Sequence, residues 1–334
     1  MSLRKKINLK AKPEINTGFG INPSNYGGRF LNKNGRANIE KKGIGFLEKI
    51  SWYHTMLLLP RWKFFSIILL FYVCSNLVFA GFYFFIGIGR LGEIPSSSQL
   101  HNFAEAFFFS TQTFTTVGYG RINPVGYLSS TIAAFEALFG LLSFALATGL
   151  LYGRFSKPIA YLRFSENAII APYKDINALM FRVAPFKNTN LVDASVNVTL
   201  GMTVDENGVK VNKFYQLDLE FSTVTALSLS WTVVHPITEK SPLYNFTKSD
   251  FKNQKGEILV FIKAFDDMFS NIVVARTSYV FEEVHHGAKF EPMYERASTG
   301  DKTIIYINKL NSIIPATLNS ISTNEELPVD DIKI

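Results

Sequence analysis

Two stretches almost free of charge constrain this chain more than any other feature of it. Phe64 to Gly89 holds no Asp, Glu, Lys or Arg across 26 residues, and Tyr127 to Gly153 holds only Glu136 across 27. Each exceeds the roughly 20 apolar residues that a bilayer-spanning helix needs. One such run can be the core of a soluble fold, but two in close succession point to a membrane protein. Neither reads as a signal peptide, because some sixty polar and basic residues precede the first.

Charge sets the expected orientation. Residues 1–63 carry 13 Lys/Arg against 3 Asp/Glu, and Arg154, Lys157 and Arg163 follow the second span. The loop between the spans is balanced, with Arg90 and Arg121 against Glu93 and Glu105. Positive charge stays on the cytoplasmic side, so both termini are expected inside a plasma (inner) membrane and the loop outside. The net charge of +7 belongs to the N-terminal arm, because residues 159–334 carry 17 basic and 21 acidic residues. That leaves a nucleic-acid reading without support. The single cysteine, Cys74, lies mid-span and excludes an intrachain disulfide. The Asn/Gly/Lys-rich segment 16–43 reads as loosely ordered.

Between the spans, "NFAEAFFFSTQTFT" (Asn102 to Thr115) is apolar enough to enter a bilayer and too short to cross it. It reads as a re-entrant half-helix running directly into "TVGYG". Irregular backbone at membrane depth is tolerated only where protein covers it or where it lines a watery cavity, so the segment after the half-helix is expected to line a pore. Gly118 and Gly120 supply positions at which the backbone passes through positive φ without a Cβ clash. The carbonyls of Thr116, Val117, Gly118 and Tyr119, with the Thr116 hydroxyl, can then stack as oxygen rings that replace a cation's water shell; TVGYG is the known potassium-filter sequence. Closing such rings takes four strands, hence four chains. The bland alternative is a glycine-rich turn. The half-helix's carboxyl end, at Phe114 and Thr115, adds partial negative charge where a cation crosses the membrane.

With "TQTFTTVGYG" stand "PRWKFF" before the first span, "GRFSKP" after the second, "SLSWTVVHPITEKSPLY" at 228–244 and "ARTSYVFEEV" at 275–284. Through these motifs roughly residues 45–310 resemble an inward-rectifier potassium channel of the prokaryotic type. The filter motif alone fits any potassium channel; the cytosolic motifs single out this family. The resemblance implies an N-terminal arm over 1–44, an interfacial slide helix within 45–63 (Gly45 to Leu59), a two-helix pore over 64–157, and a cytoplasmic immunoglobulin-like β-sandwich over 158–334. It also implies a homotetramer conducting potassium, with no enzymatic activity and no organic cofactor.

The residues independently support an all-β C-terminal domain. Val192, Ala194, Val196, Val198 and Leu200 alternate with polar residues, the period of a half-buried strand. "DENG" at 205–208 signals a hairpin turn. Tyr215 to Phe221, Ala226 to Val234, Glu257 to Ala264 and Asn271 to Phe281 read as further strands, with no helix of any length expected beyond Ala168.

Phe144, Thr148 and Tyr152 fall on one face of the second span, the face that by resemblance lines the conduction path. Tyr152 admits two readings, a gate at the bundle crossing or an interfacial anchor. Gly140 and Gly149 allow bending or close helix approach. Glu136, the sole carboxylate in either span, is expected to brace the filter by accepting hydrogen bonds from pore-helix Thr or Gln side chains, with ion binding as the alternative. Strongly rectifying family members carry an acid at the position of Phe144, which attracts magnesium or polyamines; Phe cannot do so. Asp266 and Asp267 are candidates for negative potential along the cytoplasmic axis, or else ordinary turn acids. The family's pore-helix Glu is here Gln112, so a salt bridge to Arg121 is expected to be lost.

Arg61, Lys63, Arg154 and Lys157 gather at the cytoplasmic boundary. The positive-inside pattern alone explains them, and convergent cations there also suit anionic lipid headgroups such as phosphoinositides. The five histidines, His54, His101, His235, His285 and His286, show no metal-ligand spacing and read as structural. Two rivals remain in view, a poorly selective cation channel and a membrane-anchored β-sandwich sensor without conduction.

Overall fold

The computed structural model describes residues 11, 13, 29–45, 51–92, 98–206 and 209–319. They form two compact units, one of residues 41–157 and one of residues 158–334 with residues 1–40.

The first unit is helical. A short helix α1 (Trp52–Leu58) is capped by Leu59 and followed by Pro60, whose fixed φ and missing N–H suit the start of a new helix. The long helices α2 (Arg61–Ile86) and α4 (Tyr127–Phe155) enclose α3 (Gln99–Phe114) between them in sequence. Both long helices have the length and apolarity of membrane spans and bury little of themselves within the chain. The helix expected from Gly45 is observed only from Trp52, and residues 46–50 lie outside the described set.

The second unit is a β-sandwich. Its strands are β1 (Leu162–Phe164), β2 (Ala168–Tyr173), β3 (Ile176–Pro185), β4 (Leu191–Glu206), β5 (Val209–Gln216), β6 (Thr223–Ala226), β7 (Trp231–Pro236), β8 (Gly256–Asp266), β9 (Asn271–Val280), β10 (Val284–His286), β11 (Ala288–Phe290), β12 (Tyr294–Arg296), β13 (Thr303–Ile305) and β14 (Ile313–Pro315). One sheet runs β1-β3-β2-β10 with β7 also on β3; the other runs β5-β4-β8-β9 with β6 also on β4. Their inner faces meet in one apolar core, with Phe181, Trp231 and Val233 from the first sheet and Val198, Val260, Ile262 and Tyr279 from the second.

The strand β4 carries the expected alternation, interrupted by a register shift between Val192 and Ser195 where Asp193 takes a positive φ of 48°. Asn207 and Gly208 of the expected turn lie outside the described residues, while Glu206 pairs with Val209 across them. Two expected strands are corrected. Residues 217–221 leave the ladders as they connect β5 to β6, both on β4, along the edge of the sandwich, and residues 227–230 leave them in passing from one sheet to the other. The Leu217 N–H bonds β4 while the Glu220 N–H bonds β7, and β6 lies on β4 while β7 lies on β3. A helix is also present beyond Ala168, α5 (Lys248–Asn253), started by a Thr247–Asp250 capping box.

Residues 29–38, expected to be loose, are packed on the second sheet. Arg29 grips the Glu283 carboxylate through both terminal nitrogens, at 3.1 and 3.0 Å. The buried Glu257 carboxylate accepts the Leu31 N–H at 3.0 Å and also the Phe30 N–H. Phe30 meets Phe214 edge to face. His235 is buried between the Asp218 carbonyl at 2.6 Å and the Ser241 hydroxyl at 2.8 Å. Burial pushes its imidazole below the usual range, partly opposed by the Asp218 carbonyl.

Candidate functional site

The helix α3 starts at Ser98, whose hydroxyl accepts the His101 N–H, and ends at Thr115, whose N–H returns to the Thr111 carbonyl. The backbone then reverses without losing its bonds to the helix. The N–H groups of Thr116, Val117 and Gly118 donate to the Thr113 and Gln112 carbonyls at 3.1, 2.9 and 3.3 Å. Thr116, Gly118 and Gly120 have φ of 60, 53 and 81°, whereas Val117 and Tyr119 do not take positive values. Alternating φ turns successive N–H groups to one side, and the carbonyls therefore to the other. Among the described residues, no hydrogen bond ends on the carbonyls of Thr116, Val117, Gly118 or Tyr119. All five residues from Thr116 to Gly120 are exposed on the single chain. Positive φ at Thr116 is not foreseeable from a non-glycine residue, and it costs on the order of 1–3 kcal/mol.

The far end of this loop is tied as well. Arg121, directly after Gly120, forms an ion pair with Glu105, and the His101 ring nitrogen lies 3.7 Å from the other oxygen of the same carboxylate. The bridge expected to be lost with Gln112 is thus made by a different residue of the same helix. Gln112 serves through its main-chain carbonyl.

Glu136 of α4 is fully buried against α2 and α3. Its partners are not the Thr or Gln side chains expected. The Thr111, Thr113 and Thr115 hydroxyls bond carbonyls of their own helix, as threonines in helices commonly do. Instead the Tyr83 hydroxyl donates to Glu136 Oε2 at 2.6 Å, and Ser110 Oγ contacts Oε1. Ser110 Oγ also lies 3.0 Å from Asn76 Oδ1. One turn further along α4, Gly140 passes so close to the end of α3 that an added Cβ would collide with the Phe114 carbonyl.

Phe144, Thr148 and Tyr152 lie along α4, with Phe144 and Tyr152 among its most exposed side chains. Of the four cations at the ends of the two long helices, Arg61, Lys63 and Lys157 are exposed, and Lys63 lies over the Trp62 ring. Arg154 is not free. Its guanidinium caps the end of α1, donating to the Leu59 carbonyl at 2.6 Å and the Met56 carbonyl at 3.4 Å, and it lies over Phe64.

Two family models cover most of the chain. Residues 162–329 match the inward rectifier potassium channel C-terminal domain, and residues 67–157 match an ion channel family. The inward rectifier potassium channel Kirbac3.1 of Paramagnetospirillum magnetotacticum is 32% identical over 85% of this chain and 96% of its own length. This chain belongs to the inward-rectifier potassium channel family. The ATP-sensitive inward rectifier potassium channel 12 of Homo sapiens is 28% identical over 79% of this chain, which spans 66% of that relative. The family makes the chain a membrane protein and a potassium channel of the inward-rectifier type, not an enzyme.

Within this inward-rectifier chain the two cytoplasmic acids separate. Asp266 is 1% exposed, and its Oδ1 accepts the Met268 and Phe269 N–H groups at 3.0 and 3.4 Å, so it shapes the β8–β9 turn and presents no charge to solvent. Asp267 is exposed, with Oδ2 held by the Asn190 amide at 3.1 Å.

Proposed function

We propose that four copies of this chain surround one axis and conduct potassium through stacked rings of the Thr116, Val117, Gly118 and Tyr119 carbonyls, with the Thr116 hydroxyl at the inner end. The observation that carries this reading is the pinning of the Thr116, Val117 and Gly118 N–H groups onto the end of α3, with no hydrogen bond on the four carbonyls among the described residues. Oxygens of successive rings replace the hydration of a potassium ion held between them. Glu105 and Arg121 hold the outer end of the loop, while Glu136 and Gly140 support it from behind.

Tyr152, exposed near the end of α4, supplies the ring that closes the cytoplasmic exit. Arg61, Lys63 and Lys157 attract anionic lipid headgroups, phosphoinositides among them, and Arg154 acts by holding α1 to the end of α4. The chain sits in the plasma (inner) membrane with both termini and the β-sandwich in the cytoplasm, α1 being the interfacial helix, 64–157 the pore and 158–334 the regulatory domain. With Phe144 on the pore face and Asp266 buried, Asp267 is the one of the two candidate acids left to attract magnesium or polyamines.

Purified protein in liposomes tests the reading. Rubidium uptake that excludes sodium and is blocked by barium is expected. Equal uptake of sodium and rubidium would contradict the filter and favour a poorly selective cation channel.

A further inference from the structure

We infer that Glu136 carries a proton, and that this proton completes a hydrogen-bond chain joining all three helices of the pore behind the filter. The inference comes from counting hydrogens. Asn76, Tyr83, Ser110 and Glu136 are all 0% exposed, so their polar atoms must satisfy one another. Asn76 Nδ2 donates to the Tyr72 carbonyl at 2.7 Å, which fixes the amide with Oδ1 toward Ser110. Tyr83, with no other acceptor among the described residues, gives its hydroxyl hydrogen to Glu136 Oε2. Ser110 then faces two acceptors, Asn76 Oδ1 and Glu136 Oε1, and a serine has one hydrogen.

With Tyr83 donating to Oε2, two arrangements make the Ser110–Glu136 contact a hydrogen bond. If Glu136 is ionised, Ser110 donates to it and Asn76 Oδ1 is left buried without a partner. An ionised carboxylate would also lie in the membrane-spanning unit with no cation within ion-pair distance among the described residues. If Glu136 is protonated, Oε1–H donates to Ser110 Oγ, Ser110 donates to Asn76 Oδ1, Asn76 donates to the Tyr72 carbonyl, and no polar atom is stranded. An orphaned buried acceptor is costly, and an unpaired buried charge is costlier still. Tyr83 on α2 is the one titratable group against this carboxyl; α3 and α4 present none.

The chain runs from Tyr72, Asn76 and Tyr83 on α2 through Ser110 on α3 to Glu136 on α4. Ser110 lies one turn before Phe114, the end of the helix from which the filter loop hangs. Ser110, Asn76 and Tyr83 are therefore positioning residues for that loop, and the proton is a structural part of the pore. This rests on the reading of Glu136 as a support for the filter.

Infrared difference spectra of the full-length channel in liposomes, wild type against Glu136→Gln at neutral pH, test the proton directly. A protonated-carboxyl C=O band present in the wild type and absent from the variant is expected. Carboxylate stretches lost in its place would overturn the proposal. Ser110→Ala, which removes the proton's acceptor, is expected to move that band to higher frequency and to lower rubidium flux about tenfold. The conservative Glu136→Gln, which keeps an acceptor facing Tyr83 and an N–H donor facing Ser110, is expected to retain flux. An unmoved band in Ser110→Ala would also overturn the chain. Should Ser110→Ala fail to assemble, the Glu136→Gln spectrum decides alone. A wild type that passes sodium as readily as rubidium would refute the filter while leaving the infrared result to stand.

Discussion

Gly140 illustrates how a single residue can determine whether the pore closes up. Its α-carbon lies where any side chain would press on the Phe114 carbonyl, a backbone atom that cannot swing aside. Gly140→Ala is expected to destabilise the assembled channel by roughly 1–3 kcal/mol, the range for overpacking, and to reduce rubidium flux. Thermal stability of the purified particle checks this, and a wild-type melting temperature would contradict it. At this scale the sequence was informative wherever a residue type has one use. Gly118 and Gly120 announce positive φ, but Thr116 does not, because a threonine is equally at home in ordinary backbone. Glu136 announces a buried partner without naming it, since Ser110 and Tyr83 lie 26 and 53 residues away.

At the scale of elements, apolar runs and alternation identified α2, α3, α4, β8 and β9 nearly to their ends, and β4 over its first part, Val192 to Leu200. The same pattern misread 217–221 and 227–230, because Leu217 and Leu227 enter the core as a strand's residues would, while Phe221 and Leu229 are exposed in the connections that follow. The capping box "TKSD" before α5 was a legible signal of a different kind. The β7 strand carries a testable titration at His235. An imidazole held below its ordinary value in the folded state binds fewer protons than the unfolded chain. The stability this group contributes is therefore full above about pH 6.5 and is lost as pH falls below it. Acid melts of the full chain, read by Trp231 emission in a Trp52→Phe, Trp62→Phe background, are expected to show destabilisation between pH 7 and 5 of up to about 1.4 kcal/mol per pH unit. Replacing His235 with Gln is expected to flatten that slope; an equal slope in the variant would contradict the assignment.

The whole molecule is legible only in part from one chain. Two spans, a re-entrant helix and an all-β domain follow from pattern, the sandwich from the resemblance, and the family match agrees with them. The proposed assembly would cover what a single copy leaves exposed. Tyr119, Phe144 and Tyr152 are 79, 71 and 74% exposed, and four loops are needed before the carbonyls of 116–119 can enclose an ion. The docking of residues 29–38 escaped the sequence because its partners, Glu257, Ser278 and Glu283, lie more than two hundred residues on.

Imaging the purified particle in rubidium at a resolution that shows the backbone tests the central claim most directly. The account predicts four copies around one axis, with ion density between successive carbonyl rings of Thr116, Val117, Gly118 and Tyr119. A particle of two copies, or four copies whose 116–119 carbonyls face away from an empty axis, would contradict it.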